Sequence, residues 1–229
     1  MDVTLVLYRI SGWSQDIVWL FICWMILKRR WYWTQYKSFF LVYAISVTIF
    51  EIVFAITALT MSNNLFLNYM YSTLEFIILS FFLKGIIQFK WIHYFVYVAS
   101  IVFLLITFFY AFSGVGYANY NTYGSLIKNL YLTIFAGLSL FVLSKRNVNR
   151  RLFSLTESWL VFSIFLIYMS IIIFDFLFGL AVPYKNDTIL YAVLITRNFL
   201  KSFFLFFYIK GIFIIKRDKS VERVLVHSD

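Results

Sequence analysis

Six ionisable residues interrupt the long apolar runs of this 229-residue chain: Glu51, Glu75, Lys128, Asp175, Arg197 and Lys201. Asp16 joins them if the first run begins near Leu5. Carboxylates and amines in such surroundings can relay protons, hold ions or bind a solute of opposite charge. Each costs about 2.5–3.5 kcal/mol at the centre of a hydrocarbon layer even on a lenient scale, so six unpaired would cost on the order of 15–20 kcal/mol. That exceeds the whole stability of a typical domain. The charges must therefore pair with one another or line a wet cavity.

Spacing narrows the partners. Arg197 and Lys201 are four residues apart on one helical face, where like charges repel, and their coexistence predicts a carboxylate between them. Glu75 and Asp175 are the expected candidates. Asn68, Tyr71, Ser72 and Glu75 share a second face, while Asn129 and Asn198 adjoin Lys128 and Arg197. Glu75, Arg197 and Lys201 are the leading site residues, with Glu51, Asp175, Lys128, Asn68, Asn198 and Asp16 completing a ligand or charge network. The competing reading is a set of ion pairs that only holds helices together. Buried pairs are often no better than apolar packing, so stability alone is a weak reason for so many.

The elements carrying these residues follow from composition. The chain is 63% hydrophobic, 23% aromatic and 13% charged. A soluble domain is about 45–50% apolar and about 25% charged, which excludes a water-surrounded globule. A membrane span needs roughly 20 mainly apolar residues, and seven segments qualify: near Leu5 to Leu27, Ser38–Thr60, Leu65–Leu83, Trp91–Phe112, Tyr123–Leu143, Trp159–Leu180 and Ile189–Ile215. In hydrocarbon every backbone N–H and C=O must be paired within its own segment or in a closed barrel. Runs this long do not fit barrel strands of about ten alternating residues. The expected fold is all-α and polytopic, with residues 1–215 forming one seven-helix transmembrane domain and residues 216–229 a short basic cytoplasmic tail.

The net charge of +10, from twenty Lys+Arg against ten Asp+Glu, lies mostly in short loops and the tail. It is a topology signal, not a nucleic-acid footprint. One set of loops holds Lys28, Arg29, Arg30, Lys37, Lys84, Lys90, Lys145, Arg146, Arg150 and Arg151; the other side has only Arg9 and Lys185. The N-terminus is expected outside and the C-terminus in the cytoplasm, with the protein multi-pass in the cell's inner membrane. By a rise of roughly 1.5 Å per residue, Glu51 and Glu75 fall near mid-membrane and Lys201 at or just outside it. Lys128, Asp175 and Arg197 fall in the outer half, so the polar cluster is expected to open outward. Trp31, Tyr32, Trp33, Trp91 and Trp159 on the inner side, and Tyr117, Tyr120, Tyr123 and Tyr184 on the outer, read as interfacial belts.

Ser154-Leu155-Thr156-Glu157 fits a capping box that opens the sixth helix, which gives Glu157 a structural role. The segment from Glu75 to Ile86 lines up without gaps on Lys201 to Ile212. The second and sixth helices each carry one acid, Glu51 and Asp175, and helix four has no charge inside its span. This suggests two parallel three-helix repeats joined by a linker helix; the alternative is chance likeness between aromatic-rich helices that end at a basic edge. Met1-Asp2-Val3-Thr4 has neither a basic n-region nor a cleavage site, so the first helix is expected to be its own targeting signal.

Enzyme chemistry finds no ligand set. The single Cys23 permits neither an internal disulfide nor Cys metal motifs, and only His93 and His227 are available as imidazoles. HExxH, GxSxG, Walker and GxGxxG patterns are absent, and Gly114-Val115-Gly116 reads as an outer turn. No enzymatic activity and no cofactor are expected.

A helix-seven lysine with a helix-three acid, Lys201 and Glu75, resembles the microbial rhodopsins, which would make them Schiff base and counter-ion. Arg197 stands one turn before the lysine, where a second cation is electrostatically wrong for a protonated Schiff base. The repeat looks like the layout of small sugar-transporter and PQ-loop proteins, although there is no Pro-Gln pair and the only proline is Pro183. Tyr71-Ser72-Thr73-Leu74-Glu75-Phe76 followed by Phe81-Phe82, with the chain length, resembles uncharacterised seven-span bacterial inner-membrane proteins encoded near sensor kinases. That resemblance implies a sensory or accessory role.

Three functions stay open. The first is a receptor-like protein whose outward pocket takes a small polar or anionic ligand and signals to a partner at the basic loops. The second is a small solute or proton-coupled transporter, and the third a structural subunit of a membrane complex. The lipid bilayer is the expected surrounding in each, with no nucleic-acid partner. A tail of roughly 14 residues has no room for an output domain, so a receptor needs a separate partner.

Overall fold

A computed structural model describes residues 3–29, 37–60, 65–87, 89–112, 122–146, 152–181 and 187–226. It is all-helical there: α1 (Val3–Arg29), α2 (Lys37–Thr60), α3 (Leu65–Ile87), α4 (Lys90–Phe112), α5 (Thr122–Arg146), α6 (Thr156–Ala181) and α7 (Asp187–Val226). A short 3-10 turn, Leu152–Ser154, precedes α6. Six of the helices are long and apolar enough to cross a membrane; in α2 the described apolar stretch is Ser38–Phe54. The chain is an integral membrane protein by that measure. The expected segment bounds agree with the helices to within a few residues, except that α7 continues as one helix through residues assigned to the tail. At roughly 1.5 Å per residue its 40 residues are about twice as long as a hydrocarbon core is thick.

The principal packing partners close a ring in the order α1, α2, α3, α5, α6, α7 and back to α1. Helix α4 stands outside it, against α3 and more lightly α5. Its lipid-type face is wide: Tyr94, Val98, Leu105, Phe108 and Phe109 are all exposed, as expected for the one span without an internal charge.

The basic residues gather at one end of the bundle, here the basic end: Lys28 on α1, Lys84 on α3, Lys90 on α4, Lys145 and Arg146 on α5. Arg146 ties α3 to α5 there, donating from its two terminal nitrogens to the carbonyls of Ile86 and Ile87 at 2.9 and 2.8 Å. These are orphan acceptors at the end of α3, where a cation suits the helix dipole. Lys210 lies 3.9 Å from the Trp159 ring centroid. Trp31, Tyr32, Trp33, Tyr117, Tyr120, Tyr184 and the side chain of Tyr123 fall outside the description.

Between the basic end and the middle of the bundle lies a closed core. Trp19, Phe40, Phe82 and Tyr208 are each at most 1% exposed. Their rings interlock, Phe40 with Tyr208 at 4.9 Å, Phe40 with Phe82 at 5.6 Å and Trp19 with Tyr208 at 5.8 Å. Leu132, Phe135, Val161 and Ile164 continue this layer on α5 and α6.

Close approach marks the α6–α7 and α1–α7 seams. Ser163 donates to the Phe204 carbonyl at 2.6 Å, and Ser14 and Ser202 share a hydrogen bond of 2.9 Å. Small polar residues let apolar helices come together in lipid. At Gly211 an added Cβ would meet Trp159 Cβ at 3.1 Å, Leu160 Cδ2 at 3.2 Å and the Thr156 carbonyl oxygen at 3.3 Å. Gly211→Ala should therefore lower the thermal stability of the purified protein, since overpacking costs about 1–3 kcal/mol against about 1 kcal/mol of helix propensity gained. Gly211→Leu should lower it further. Gly12→Ala, with nothing within 4 Å of the new Cβ, should cause no loss; equal behaviour of Gly12→Ala and Gly211→Leu would refute the tight seam.

Candidate functional site

The half of the ring away from the basic end encloses a cavity of about 190 Å³. All but one of its lining residues carry a polar group. α1 contributes Gln15; α3 contributes Asn68, Tyr71, Ser72 and Glu75; α5 contributes Ser125, Lys128 and Asn129; α7 contributes Arg197, Asn198 and Lys201. Ile171 of α6 is the one apolar lining residue. Helix periodicity accounts for the groupings, because residues three and four apart stand one above another on a face.

Glu75 is the most enclosed charge. It is 6% exposed and forms an ion pair with Lys128, itself 7% exposed. Tyr71 Oη donates to Glu75 Oε1 at 2.8 Å and Tyr43 Oη to the same oxygen at 3.2 Å. Tyr168 stands beside the same carboxylate and Tyr208 within its electrostatic reach, both hydroxyls buried and without a well-formed hydrogen bond among the described residues. Lys128 also lies 5.9 Å from the ring centroids of Tyr71 and Tyr168. One acid and one base thus share a cage of four tyrosines, which gives both charges the compensation that a low dielectric demands.

The second ion pair is shallower. Arg197 Nη1 meets Asp175 Oδ1 at 3.3 Å, with the two side chains 29% and 27% exposed. Here the expectation of a carboxylate beside Arg197 is met by Asp175. The expected pairing of Glu75 with Lys201 is corrected: Glu75 turns to Lys128 on the adjacent α5, and Lys201 forms no ion pair within 4.0 Å among the described residues. Lys201 instead feels Asp16 and Glu51 at longer range, and those two carboxyl groups touch each other. Asp16 and Glu51 line a separate void of about 100 Å³ with Trp19, Leu20, Thr48 and Ile52.

Six of the nine expected site residues therefore line one cavity: Asn68, Glu75, Lys128, Arg197, Asn198 and Lys201. Asp175 anchors one of them, and Asp16 and Glu51 sit behind another. Asn198 also holds α1 to α7, donating to Ser11 Oγ at 3.2 Å. Sequence reasoning missed Tyr43, Tyr168 and Tyr208. A signal was there: Tyr168 is seven residues before Asp175 and Tyr208 seven after Lys201, two turns along the same helical face.

The cavity ends at one level. On α3 its last residue is Glu75 and the closed core begins at Ile78; on α5 the change is from Asn129 to Leu132, and on α7 from Lys201 to Leu205. On α1 it falls between Gln15 and Trp19, and on α6 between Ile171 and Tyr168. Among the described residues no group of three or more His, Cys, Asp or Glu is placed to hold a metal ion. Set against known protein families, curated proteins and solved structures, the chain finds no match in any of the three.

Proposed function

We propose that this protein is a receptor-like membrane sensor with seven spans, N-terminus outside, that binds a small anionic or polar solute in the cavity and signals through a partner at its basic inner face. The observation that carries this reading is the level floor: the cavity lining gives way to closed core within three or four residues on each of the five helices that line it, and the lining is polar on all but α6. A site with that floor exchanges solute with one side only, which suits sensing. The lining supplies the anion preference, with Lys128, Arg197 and Lys201 against Glu75. Positive charge concentrated at the opposite end supports the orientation and offers a surface for an acidic partner. On this reading the protein resides in the cell's inner membrane, and α3, α6 and α7, which run from cavity to basic end, carry the signal.

Transport is the second reading, favoured by the ring. In the order α1, α2, α3, α5, α6, α7, a half-turn about the ring axis carries the first three helices onto the last three and leaves α4 as linker. The burial pattern follows the same correspondence. Phe40, Tyr43 and Glu51 answer to Ile164, Ile167 and Asp175; Leu79, Phe82 and Ile86 answer to Leu205, Tyr208 and Ile212, all six of the latter buried. Parallel repeats flanking a central site are a transporter plan, in which one half rocks against the other.

Gentle affinity purification from native membranes, with mass spectrometry of everything retained, separates the two. A stoichiometric signalling protein that is lost on charge reversal of Lys145 and Lys210 supports the receptor. Recovery without one, together with uptake of solute by proteoliposomes, overturns it in favour of transport.

A further inference from the structure

We infer that the solute held in the cavity is a small monocarboxylate bearing a hydroxyl group, its carboxylate on Lys201 and its hydroxyl donating to Asn129 Oδ1. This rests on the reading of the cavity as an anion site and deepens it by naming the class.

Charge accounting identifies the anchor. Three cations line the cavity, but Lys128 is taken by Glu75 and Arg197 by Asp175. Lys201 makes neither an ion pair nor a hydrogen bond with the described residues. Asp16, Glu51 and Glu75 act on it only at longer range, the first two touching each other in a separate void and the third held by Lys128. The ammonium of Lys201 thus has three donors for a ligand and a positive charge that no acid meets in ion-pair contact. A single free cation matches a single negative charge; a dianion would leave its second charge without a partner in a low dielectric.

The rest of the wall sets the polar complement. Asn129 is 1% exposed and donates to Ser125 Oγ at 3.3 Å, yet its Oδ1 accepts from no described residue. Ser72 Oγ, on a residue 9% exposed, is also without a partner. A buried acceptor left open beside a cavity calls for a donor from the ligand. A hydroxyl supplies one and can accept in return from Ser72. The volume of about 190 Å³ accommodates a solute of three or four carbons.

The test uses the full chain in nanodiscs and isothermal titration calorimetry with six probes: lactate, propionate, lactamide and malonate, and the simple anions chloride and phosphate. Lactate should bind, propionate should bind at least about tenfold more weakly for want of the hydroxyl, and lactamide and malonate should not bind measurably. Lys201→Met should abolish lactate binding and Lys201→Arg should retain it. Asn129→Leu should bring lactate down to the level of propionate without abolishing either. Size-exclusion profiles and retained binding in Lys201→Arg guard against misfolding. Lactamide binding as well as lactate, or unchanged lactate binding in Lys201→Met, overturns the assignment of the anchor. Propionate equal to lactate overturns the hydroxyl class and leaves the anion site standing. Failure of these acids together with chloride and phosphate overturns both.

Discussion

Lys128→Met should lower the unfolding temperature of the detergent-purified protein sharply, and adding Glu75→Gln to it should restore most of the loss. Removing one partner of a buried pair costs about 3–5 kcal/mol, because the other charge is left uncompensated. Here Glu75 is 6% exposed, so water from the cavity it lines replaces the ammonium only in part. The hydroxyls of Tyr71 and Tyr43 still donate to Glu75 Oε1 in the single variant, which softens the loss without supplying a counter-charge. In the double variant a neutral amide accepts from the same hydroxyls, and no buried charge remains. The interaction energy of the cycle should therefore reach at least about 1.5 kcal/mol, within the range for contacting residues. The same cycle run with Lys201→Met in place of Lys128→Met should show a much smaller coupling, because Lys201 acts on Glu75 only at longer range. Additivity for Lys128 and coupling for Lys201, read from thermal melts, would reverse the assignment of partners.

Much of this contrast was hidden from the sequence for one reason. Hydropathy locates a span because the bilayer forces every backbone group to pair within its own helix, and the bounds of α2, α3 and α5 are readable in that way. Even α1, interrupted by Arg9, Gln15 and Asp16, forms one helix from Val3 to Arg29. The order of helices around a ring is not written in hydropathy. Repulsion between Arg197 and Lys201 correctly demands an acid nearby and finds Asp175. Which of the remaining acids meets Lys128 or Lys201 depends on α3 lying beside α5 and α1 beside α7. The tyrosine cage was obscured by number: with 17 tyrosines in the chain, Tyr43, Tyr168 and Tyr208 look like ordinary aromatic packing until their hydroxyls are found around Glu75. Residue counting puts Glu75 and Lys201 at similar depth, and the cavity floor lies just past both of them.

A cysteine at Lys185, between α6 and α7, should be fully labelled by an impermeant maleimide applied to right-side-out vesicles, and one at Lys145 should stay unlabelled until the vesicles are opened. The argument is the asymmetry of charge: ten Lys and Arg in the loops and helix ends of one side face Arg9 and Lys185 on the other. Basic loops are retained on the cytoplasmic side during insertion. Native Cys23 does not confuse the experiment, being 9% exposed within α1, and Lys145 is exposed at the end of α5. The expected outcome is all-or-none for each site. It also decides what the cavity samples, because the cavity lies entirely in the half of the bundle away from Lys145. Labelling of Lys185→Cys from outside puts the Lys201 ammonium in contact with the external medium, as a sensor of external solute requires. The inverse pattern would make the same cavity a cytoplasmic one, with the closed aromatic core as its barrier to the exterior, and would overturn the orientation on which the receptor reading depends.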